Sequence, residues 1–255
     1  MDLVLCLLPF EKRFYDEHGT RAEFVGHPLA DAIPMTVDRE AARRALAIDP
    51  AAAVVALLPG SRRGEVSRLG ADFAAIARWL AAQRPQLEFI APMASAASRA
   101  IFSQALERHA PGIQVKLIDG QAQAALIASN VVLVTSGTAS LEAALCRRPM
   151  VVVYRLGAMT AWILRRLNLV KARFFAQPNL LADRRVVGEY FQEEIVPESI
   201  GAELLMWLDD AQRRSGLERE FSRIHAELRR DAGSRAAQAI VALLESRGRT
   251  VAART

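Results

Sequence analysis

The residues best suited to chemistry stand in the stretch 131–142, which reads VVLVTSGTASLE. Four small residues at 135–138 follow a continuous apolar run, and a helical pattern begins at Ala139. Free backbone N–H groups at a helix amino terminus favour an anion. Glu142 follows one turn later, where a carboxylate can accept hydrogen bonds from the two hydroxyls of a ribose. The stretch indicates a nucleotide site; the alternative is a well-capped helix with a solvated glutamate.

A second motif, LLPGSR at 57–62, is followed by Glu65. Gly60 lets the backbone approach a phosphate closely, and Ser61 and Arg62 can donate hydrogen bonds to it. The planar guanidinium of Arg62 suits a diphosphate and could neutralise a leaving group such as UDP. The spacing is not that of a Walker A loop. The alternative interpretation is a surface arginine in a turn.

Apolar runs and helical periodicities alternate along the chain, so they predict the elements that position these motifs. Strands are predicted at 3–8, 22–25, 53–58, 87–92, 113–118, 131–134 and 149–154. Helices are predicted at 10–18, 38–47, 65–83, 95–109, 121–129, 139–147, 158–167, 200–208 and 236–244, with another marked by Leu217, Phe221, Ile224 and Leu228. Residues 177–179 are predicted to form a loop.

This alternation predicts an α/β fold with a doubly wound parallel sheet. Ligands of such sheets bind beyond the carboxyl ends of the strands. The loops at 59–62, 119–120, 135–138 and 154–155 all fall at that edge. We therefore expect both motifs to face one site.

Composition limits the function classes. With 255 residues, 52% hydrophobic and 24% charged, the sequence is typical of a soluble globular protein with an ample core. Cys6 and Cys146 lie in apolar surroundings and are interpreted as buried, reduced thiols in a reducing compartment. The four histidines have no ligand spacing. We therefore expect neither a metal site nor a cofactor.

The net charge of +5 comes mainly from arginine. A basic balance can indicate nucleic acid, an anionic membrane surface or phosphorylated ligands, or it can reflect a genome that prefers arginine to lysine. No nucleic-acid recognition motif is present, so a nucleic-acid partner is not expected.

The sequence changes character after Tyr154. Tryptophan and aliphatic residues next to clustered arginines are typical of a helix lying in an anionic membrane interface. The alternative is a core helix whose arginines are solvated. The membrane-facing candidates are Trp162, Ile163, Arg165, Arg166, Phe174 and Phe175.

Six motifs follow one another in a specific order: GHPLAD at 26–31, LLPGSR at 57–62 with Glu65, SGTA at 136–139 with Leu141 and Glu142, PMVV at 149–152 with Tyr154, PNLL at 178–181 and QEE at 192–194. In this order the sequence resembles the lipid-A-disaccharide synthase family, which are inverting glycosyltransferases of the GT-B fold. The resemblance runs from about residue 3 to about residue 244.

The resemblance implies transfer of 2,3-diacylglucosamine from its UDP derivative to 2,3-diacylglucosamine 1-phosphate, giving lipid A disaccharide 1-phosphate and UDP. It implies a cytoplasmic protein, peripheral on the inner face of the bacterial inner membrane, and is compatible with a homo-oligomer. Arg62 would stabilise the diphosphate and Glu142 would hold the ribose. The nucleotide-sugar contacts implied are Gly60, Ser61, Arg62, Ser136, Gly137, Thr138, Ala139, Glu142, Asn179, Gln192 and Glu193.

The family also implies a division into domains. We expect a remnant of an N-terminal Rossmann-like acceptor domain at 1–34, a nucleotide-sugar-binding Rossmann-like domain at 35–215, helices at 216–247 that pack back on the N-terminal part, and a disordered tail at 248–255. The family carries a longer N-terminal domain, which is expected to supply the general base. The chain is therefore expected to be truncated and inactive alone, and no residue present is assigned as the base.

Other interpretations remain open. One is a related GT-B enzyme, such as a UDP-N-acetylglucosamine 2-epimerase or the peptidoglycan N-acetylglucosaminyltransferase. Another is a non-catalytic half-domain that binds a UDP-sugar and pairs with another chain.

Overall fold

The computed structural model describes residues 2–157 and 173–247, and these form two compact units. One unit combines Met1–Thr36 with Ser222–Thr255, and the other is Val37–Phe221. The helix predicted at 158–167 and the tail predicted at 248–255 lie outside the described residues.

The described strands, in chain order, are β1 (Val4–Cys6), β2 (Ala22–Phe24), β3 (Val54–Leu58), β4 (Glu88–Met93), β5 (Val115–Asp119), β6 (Val131–Thr135), β7 (Met150–Tyr154) and β8 (Gly188–Phe191). The described helices are α1 (Pro9–Glu17), α2 (Pro28–Ala32), α3 (Arg39–Ala45), α4 (Arg63–Gln83), α5 (Ala96–His109), α6 (Ala122–Ala128), α7 (Thr138–Leu145), α8 (Gln177–Ala182), α9 (Pro197–Asp209), α10 (Ala211–Leu228) and α11 (Ala232–Glu245). A short 3-10 helix covers Gln192–Glu194.

The larger unit is built on a parallel sheet of six strands in the order β5-β4-β3-β6-β7-β8. Every residue of β3 and β6 is buried, which is what strands covered on both faces require. In the register, Leu57 lies beside Leu133 and Val134 lies beside Val152. The predicted α/β fold with a doubly wound parallel sheet is therefore confirmed.

Helix α4 shows why the sequence folds this way. Its apolar residues recur every three or four positions, and Val66, Phe73, Ile76 and Leu80 are all fully buried. The helix packs against α5 and α9 on the sheet. Its amino end follows directly from β3, so the 59–62 loop is held between a buried strand and a long, anchored helix.

The end of the sheet differs from the prediction in two places. Strand β8 was not predicted, because GEYF is a short, half-buried edge strand and not an apolar run. The loop predicted at 177–179 is wrong, since these residues open helix α8. Pro178 lies in the first turn of that helix, where a missing N–H costs nothing.

In the smaller unit, β1 and β2 form a two-stranded parallel sheet. Asp31 accepts hydrogen bonds from the backbone N–H groups of Arg230, Asp231 and Ala232, at the start of α11. Burial favours a higher pKa for Asp31, but these hydrogen bonds outweigh it and place the pKa below its ordinary value. Asp31 therefore caps the helix as an anion.

Candidate functional site

A cavity of about 410 Å³ lies at the carboxyl ends of strands β3 to β7. It is bordered by residues from each of the four loops that the sequence placed at this edge, including Arg62, Gly120, Ser136 and Tyr154. This position is the one at which parallel α/β sheets bind their ligands. The larger unit therefore forms this cavity with its own residues.

The cavity gathers most of the predicted site residues. Those that line it are Gly60, Ser61, Arg62, Ser136, Gly137, Thr138, Ala139 and Glu142. It also adds residues that were not predicted as ligand contacts: Leu58, Glu65, Pro92, Met93, Ala94, Gly120, Ala122, Thr135 and Tyr154. Most of these added residues lie at or just after the ends of neighbouring strands, and that position is the signal that could have found them.

The backbone N–H groups of the loop before α4 are already bound to a carboxylate of the protein, that of Glu65. Gly60 has a φ of +130°, a conformation that disfavours residues with a side chain. The Glu65 carboxylate accepts hydrogen bonds from the backbone nitrogens of Ser61 at 3.0 Å and Arg62 at 3.2 Å. The Arg62 side chain is 86% exposed, and its Nη1 lies 3.5 Å from Glu65 Oε1. The guanidinium, more than the loop backbone, is thus the group available to a ligand.

The amino terminus of α7 offers backbone donors instead. Within the ranges that the structure describes, the N–H groups of Gly137, Thr138 and Ala139 have no hydrogen-bond acceptor. The Ser140 hydroxyl donates to the Gly137 carbonyl at 2.7 Å, which fixes the turn. Aligned peptide dipoles add positive potential at this end of a helix. This turn can therefore receive phosphate oxygens.

Glu142 lies one turn further along α7 and lines the same cavity. Burial raises the pKa of its carboxyl above the ordinary value. A half-buried carboxylate at this position suits a neutral partner that donates hydrogen bonds. The two hydroxyls of a ribose are such a partner.

Apolar residues and backbone form other parts of the wall. Pro92 and Met93 are the last residues of β4, Ala94 follows them, and Ala122 opens α6. Next to the cavity, the rings of Tyr154, Phe175 and Phe191 form a cluster with centroids 6.1 to 6.2 Å apart. The cavity thus combines anion-binding groups with a surface suited to a flat, apolar ring.

Three predicted contacts do not line the cavity: Asn179, Gln192 and Glu193. The Asn179 side chain is fully buried and hydrogen-bonded to the backbone of Val186 and Val187 and to Glu189. Gln192 is 6% exposed. The structure thus brings together the residues of the LLPGSR and SGTA motifs but leaves these three outside the cavity lining.

Of the membrane-facing candidates, Trp162, Ile163, Arg165 and Arg166 lie outside the described residues. The guanidinium of Arg173 lies 5.0 Å from the ring centroid of Phe174. Phe175 belongs to the aromatic cluster beside the cavity.

In the parts of the chain that the structure describes, no helix is both long enough and apolar enough to cross a bilayer. No three His, Cys, Asp or Glu side chains in those parts come together in a way that could hold a metal ion.

Comparison with known families shows to which family the chain belongs. The sequence profile described as "Lipid-A-disaccharide synthetase" matches residues 1–242. The chain belongs to this family. The resemblance inferred from the six ordered motifs is therefore confirmed.

Curated relatives agree. The lipid-A-disaccharide synthase of Pseudomonas savastanoi pv. phaseolicola is 50% identical over 243 residues, with 95% of this chain and 62% of the relative covered. That of Hahella chejuensis is 46% identical over 245 residues, with 96% and 61% covered. The chain thus spans about three fifths of the length of these relatives.

Solved structures share the fold. A putative UDP-N-acetylglucosamine 2-epimerase from Listeria monocytogenes superposes with a TM-score of 0.65 at 15% identity, covering 100% of this chain and 62% of that one. WaaG, described as a glycosyltransferase involved in lipopolysaccharide biosynthesis, gives 0.55 at 13% identity, covering 94% and 62%. These likenesses establish a GT-B-type fold and do not distinguish transferase from epimerase. The family profile favours the transferase family over the epimerase.

Proposed function

We propose that this chain carries the donor site of a glycosyltransferase of lipid A biosynthesis. The reaction transfers 2,3-diacylglucosamine from its UDP derivative to 2,3-diacylglucosamine 1-phosphate, and releases UDP with lipid A disaccharide 1-phosphate. The observation that supports this is one cavity in a chain of this family, lined by a helix amino terminus, the exposed Arg62 and the half-buried Glu142. The helix amino terminus and Arg62 suit the diphosphate of a UDP-sugar, and Glu142 suits its ribose.

The diphosphate is placed between Arg62 and the free N–H groups of Gly137, Thr138 and Ala139. When the bond between the sugar and the diphosphate breaks, negative charge develops on the departing phosphate oxygen. Arg62 stabilises that charge, and donors already held in place lower the barrier without reorganising. Glu142 accepts hydrogen bonds from the ribose hydroxyls, which fixes the nucleotide along the cavity.

The acceptor hydroxyl must lose a proton in this inverting reaction, and none of the described residues is assigned to take it. Both substrates carry acyl chains, so we place the reaction at the cytoplasmic face of the bacterial inner membrane. The basic and aromatic stretch 155–175 is the part of the chain proposed to contact that surface. Association of the protein with itself is compatible with this placement.

Calorimetric titration of UDP into the purified chain tests the donor site. Arg62→Ala is expected to weaken UDP binding roughly 10- to 100-fold, the size of a lost hydrogen bond to a charged group. Glu142→Ala is expected to weaken the binding of both UDP and uridine, because both contain the ribose. Arg62→Ala should leave uridine binding unchanged, because uridine has no phosphate.

Arg63→Ala is the matched control, since Arg63 is the exposed neighbour of Arg62 and does not line the cavity. The proposal would be contradicted if the folded, unchanged chain did not bind UDP. It would also be contradicted if the unchanged chain and its three variants bound UDP equally well.

Sedimentation with vesicles tests the membrane contact. The chain should bind vesicles containing anionic lipid more strongly than neutral vesicles, and the double change Arg165→Glu with Arg166→Glu should reduce that binding. Equal binding to both vesicle types would argue against an interfacial role for this stretch.

A further inference from the structure

A chain of hydrogen bonds runs from the buried Asn179 to the phosphate-binding turn. Asn179 Nδ2 donates to Glu189 Oε1 at 2.5 Å, and Glu189 Oε2 accepts from the backbone nitrogen of Phe175 at 2.9 Å. The carbonyl of Phe175 then accepts from the Ser136 hydroxyl at 2.9 Å. These four residues come from α8, β8, the segment before α8 and the loop between β6 and α7. They are called the relay below.

The buried end of the relay has one way of satisfying its hydrogen bonds. Asn179 Oδ1 accepts from the backbone nitrogens of Val186 at 2.7 Å and Val187 at 3.0 Å. Its Nδ2 donates to the Val187 carbonyl at 3.0 Å as well as to Glu189. Rotating the amide by 180° would set donors against donors. Asn179 therefore holds Glu189 in a fixed position.

Glu189 must accept at both of its oxygens, one from Asn179 and one from Phe175. A carboxylate can do this, whereas the amide of a glutamine would place its NH₂ group against one of the two donors. The side-chain chemistry at position 189 is thus fixed by the relay, although Glu189 does not line the cavity.

The far end of the relay fixes the phosphate-binding turn. Ser136 uses its hydroxyl on the Phe175 carbonyl and its N–H on the Val153 carbonyl, at 2.9 Å each. Both of its donors are therefore spent on anchoring, and neither is left for a ligand. The next three N–H groups, of Gly137, Thr138 and Ala139, are held in place before a ligand arrives. A turn that is ordered in advance binds more tightly, because binding then costs less ordering.

We propose that Asn179 and Glu189 are positioning residues for the nucleotide diphosphate. They act through the Phe175 backbone and Ser136 on the N–H groups of residues 137–139, and do not touch the ligand themselves. This inference rests on the proposed function, since it takes the diphosphate as the ligand of that turn. It also gives Asn179 a role that differs from the sugar contact expected from the sequence.

Titration of UDP and uridine into Glu189→Gln tests the relay. UDP should bind on the order of 10-fold more weakly, the size of one lost hydrogen bond to a charged group. Uridine should bind as it does to the unchanged chain. Tyr190→Phe is the matched control, because Tyr190 is the next residue of β8 and its hydroxyl donates to Glu203 at 2.7 Å. That change removes a comparable hydrogen bond, and UDP affinity should change less than about twofold.

A double-mutant cycle separates positioning from general destabilisation. Ser136→Ala cuts the relay at its last step, so adding Glu189→Gln to Ser136→Ala should weaken UDP binding little further. Additive losses, equal losses for UDP and uridine, or an equal loss in Tyr190→Phe would each overturn the inference. If Glu189→Gln does not fold, Asn179→Asp provides a second test of the relay: it keeps the acceptor for Val186 and Val187 and loses the donor to Glu189 and to the Val187 carbonyl.

The two proposals fail in different ways. UDP binding that responds to Arg62→Ala but not to the relay variants would overturn only this inference. Absence of UDP binding by the unchanged, folded chain would overturn the proposed function and this inference with it.

Discussion

Glu65 Oε2 lies 3.0 Å from the backbone nitrogen of Ser61, so helix α4 begins on a carboxylate from its own first turn. The same oxygen accepts from the backbone nitrogen of Arg62. A phosphate would use these donors if the glutamate were absent. The amino termini of α4 and α7 at the cavity therefore differ: that of α4 is capped from within, and that of α7 is open to a ligand.

Removing this cap should destabilise the larger unit. Glu65→Ala is expected to lower the free energy of unfolding by about 1 kcal/mol, a usual value for a lost helix cap. Glu65→Gln should lose less, because one oxygen can still accept. Urea denaturation gives both values. Glu40→Ala is the control, because Glu40 is 83% exposed and pairs only weakly with Arg44 at 3.7 Å. If the Glu65 cap did not stabilise the helix, Glu65→Ala and Glu40→Ala would have equal free energies of unfolding.

Gly60 is required for this cap to form. A Cβ at position 60 would lie 2.5 Å from the Cβ of Glu65 and 2.7 Å from its Oε2. Gly60→Ala should therefore cost more than the roughly 1–2 kcal/mol of a positive φ alone and should also weaken UDP binding. Gly112→Ala separates the two effects, because Gly112 has a φ of +84° and no atom of the described residues lies within 4 Å of the added Cβ. If thermal unfolding shows equal losses of stability for both variants, the contact between the added Cβ and Glu65 does not contribute to the loss.

The central strands could be predicted from the sequence because they are buried on both faces. An apolar run then marks the strand directly, and the prediction of 131–134 differs by one residue from the observed Val131–Thr135. Residues that follow such strands could be assigned to one site, because parallel strands bring their carboxyl ends together. Arg62, Ser136 and Glu142, which line one cavity, were assigned to one site in this way.

Strand β8 and the orientation of Asn179 could not be predicted, because they depend on contacts that no local sequence pattern indicates. Strand β8 contains a glycine and a glutamate, and among the described strands it pairs with β7 alone, so it produces neither an apolar run nor a clear alternation. The sequence also could not tell whether the Asn179 amide faces a ligand or the protein. Its orientation depends on Glu189, ten residues further on, and on the backbone of a strand that was not predicted. The proline after Gln177 is the one local signal that could have predicted helix α8.

A buried arginine at the amino edge of the sheet should be essential for stability. Arg43 is 3% exposed and its guanidinium donates to five acceptors: the carbonyls of Asp49, Pro50, Ala52 and Ala128, and the side chain of Asn130. Arg43→Lys cannot reach all five, so we expect a loss on the order of 3 kcal/mol in urea denaturation.

The neighbouring arginine is the control for that prediction. Arg44 has a side chain that is 66% exposed, and Arg44→Lys should change the free energy of unfolding by less than about 0.5 kcal/mol. Similar losses in both variants would mean that the five hydrogen bonds of Arg43 contribute little.

Glu142 predicts how nucleoside binding depends on pH. Burial raises its pKa above the ordinary 4.5, and the ionised form accepts at both of its oxygens, whereas protonation turns one of them into a donor. Uridine is the appropriate ligand, because it has the ribose but no phosphate that titrates. Its affinity should fall as the pH decreases through the raised pKa, at a pH higher than 4.5. In Glu142→Gln the affinity should be weak and independent of pH over the same range.

The stability of the chain should change with pH in the opposite sense. An acid whose pKa is raised by folding contributes stability below its unfolded pKa, here near 4.5, and that contribution is lost as the pH rises through the folded pKa. Glu142→Gln has no such group, so its stability relative to the unchanged chain should increase from pH 4 to pH 7. Urea denaturation at several pH values measures this difference. Suppose that the difference in stability between Glu142→Gln and the unchanged chain were constant with pH, and that uridine affinity were constant as well. Glu142 would then not titrate with the raised pKa that its burial requires.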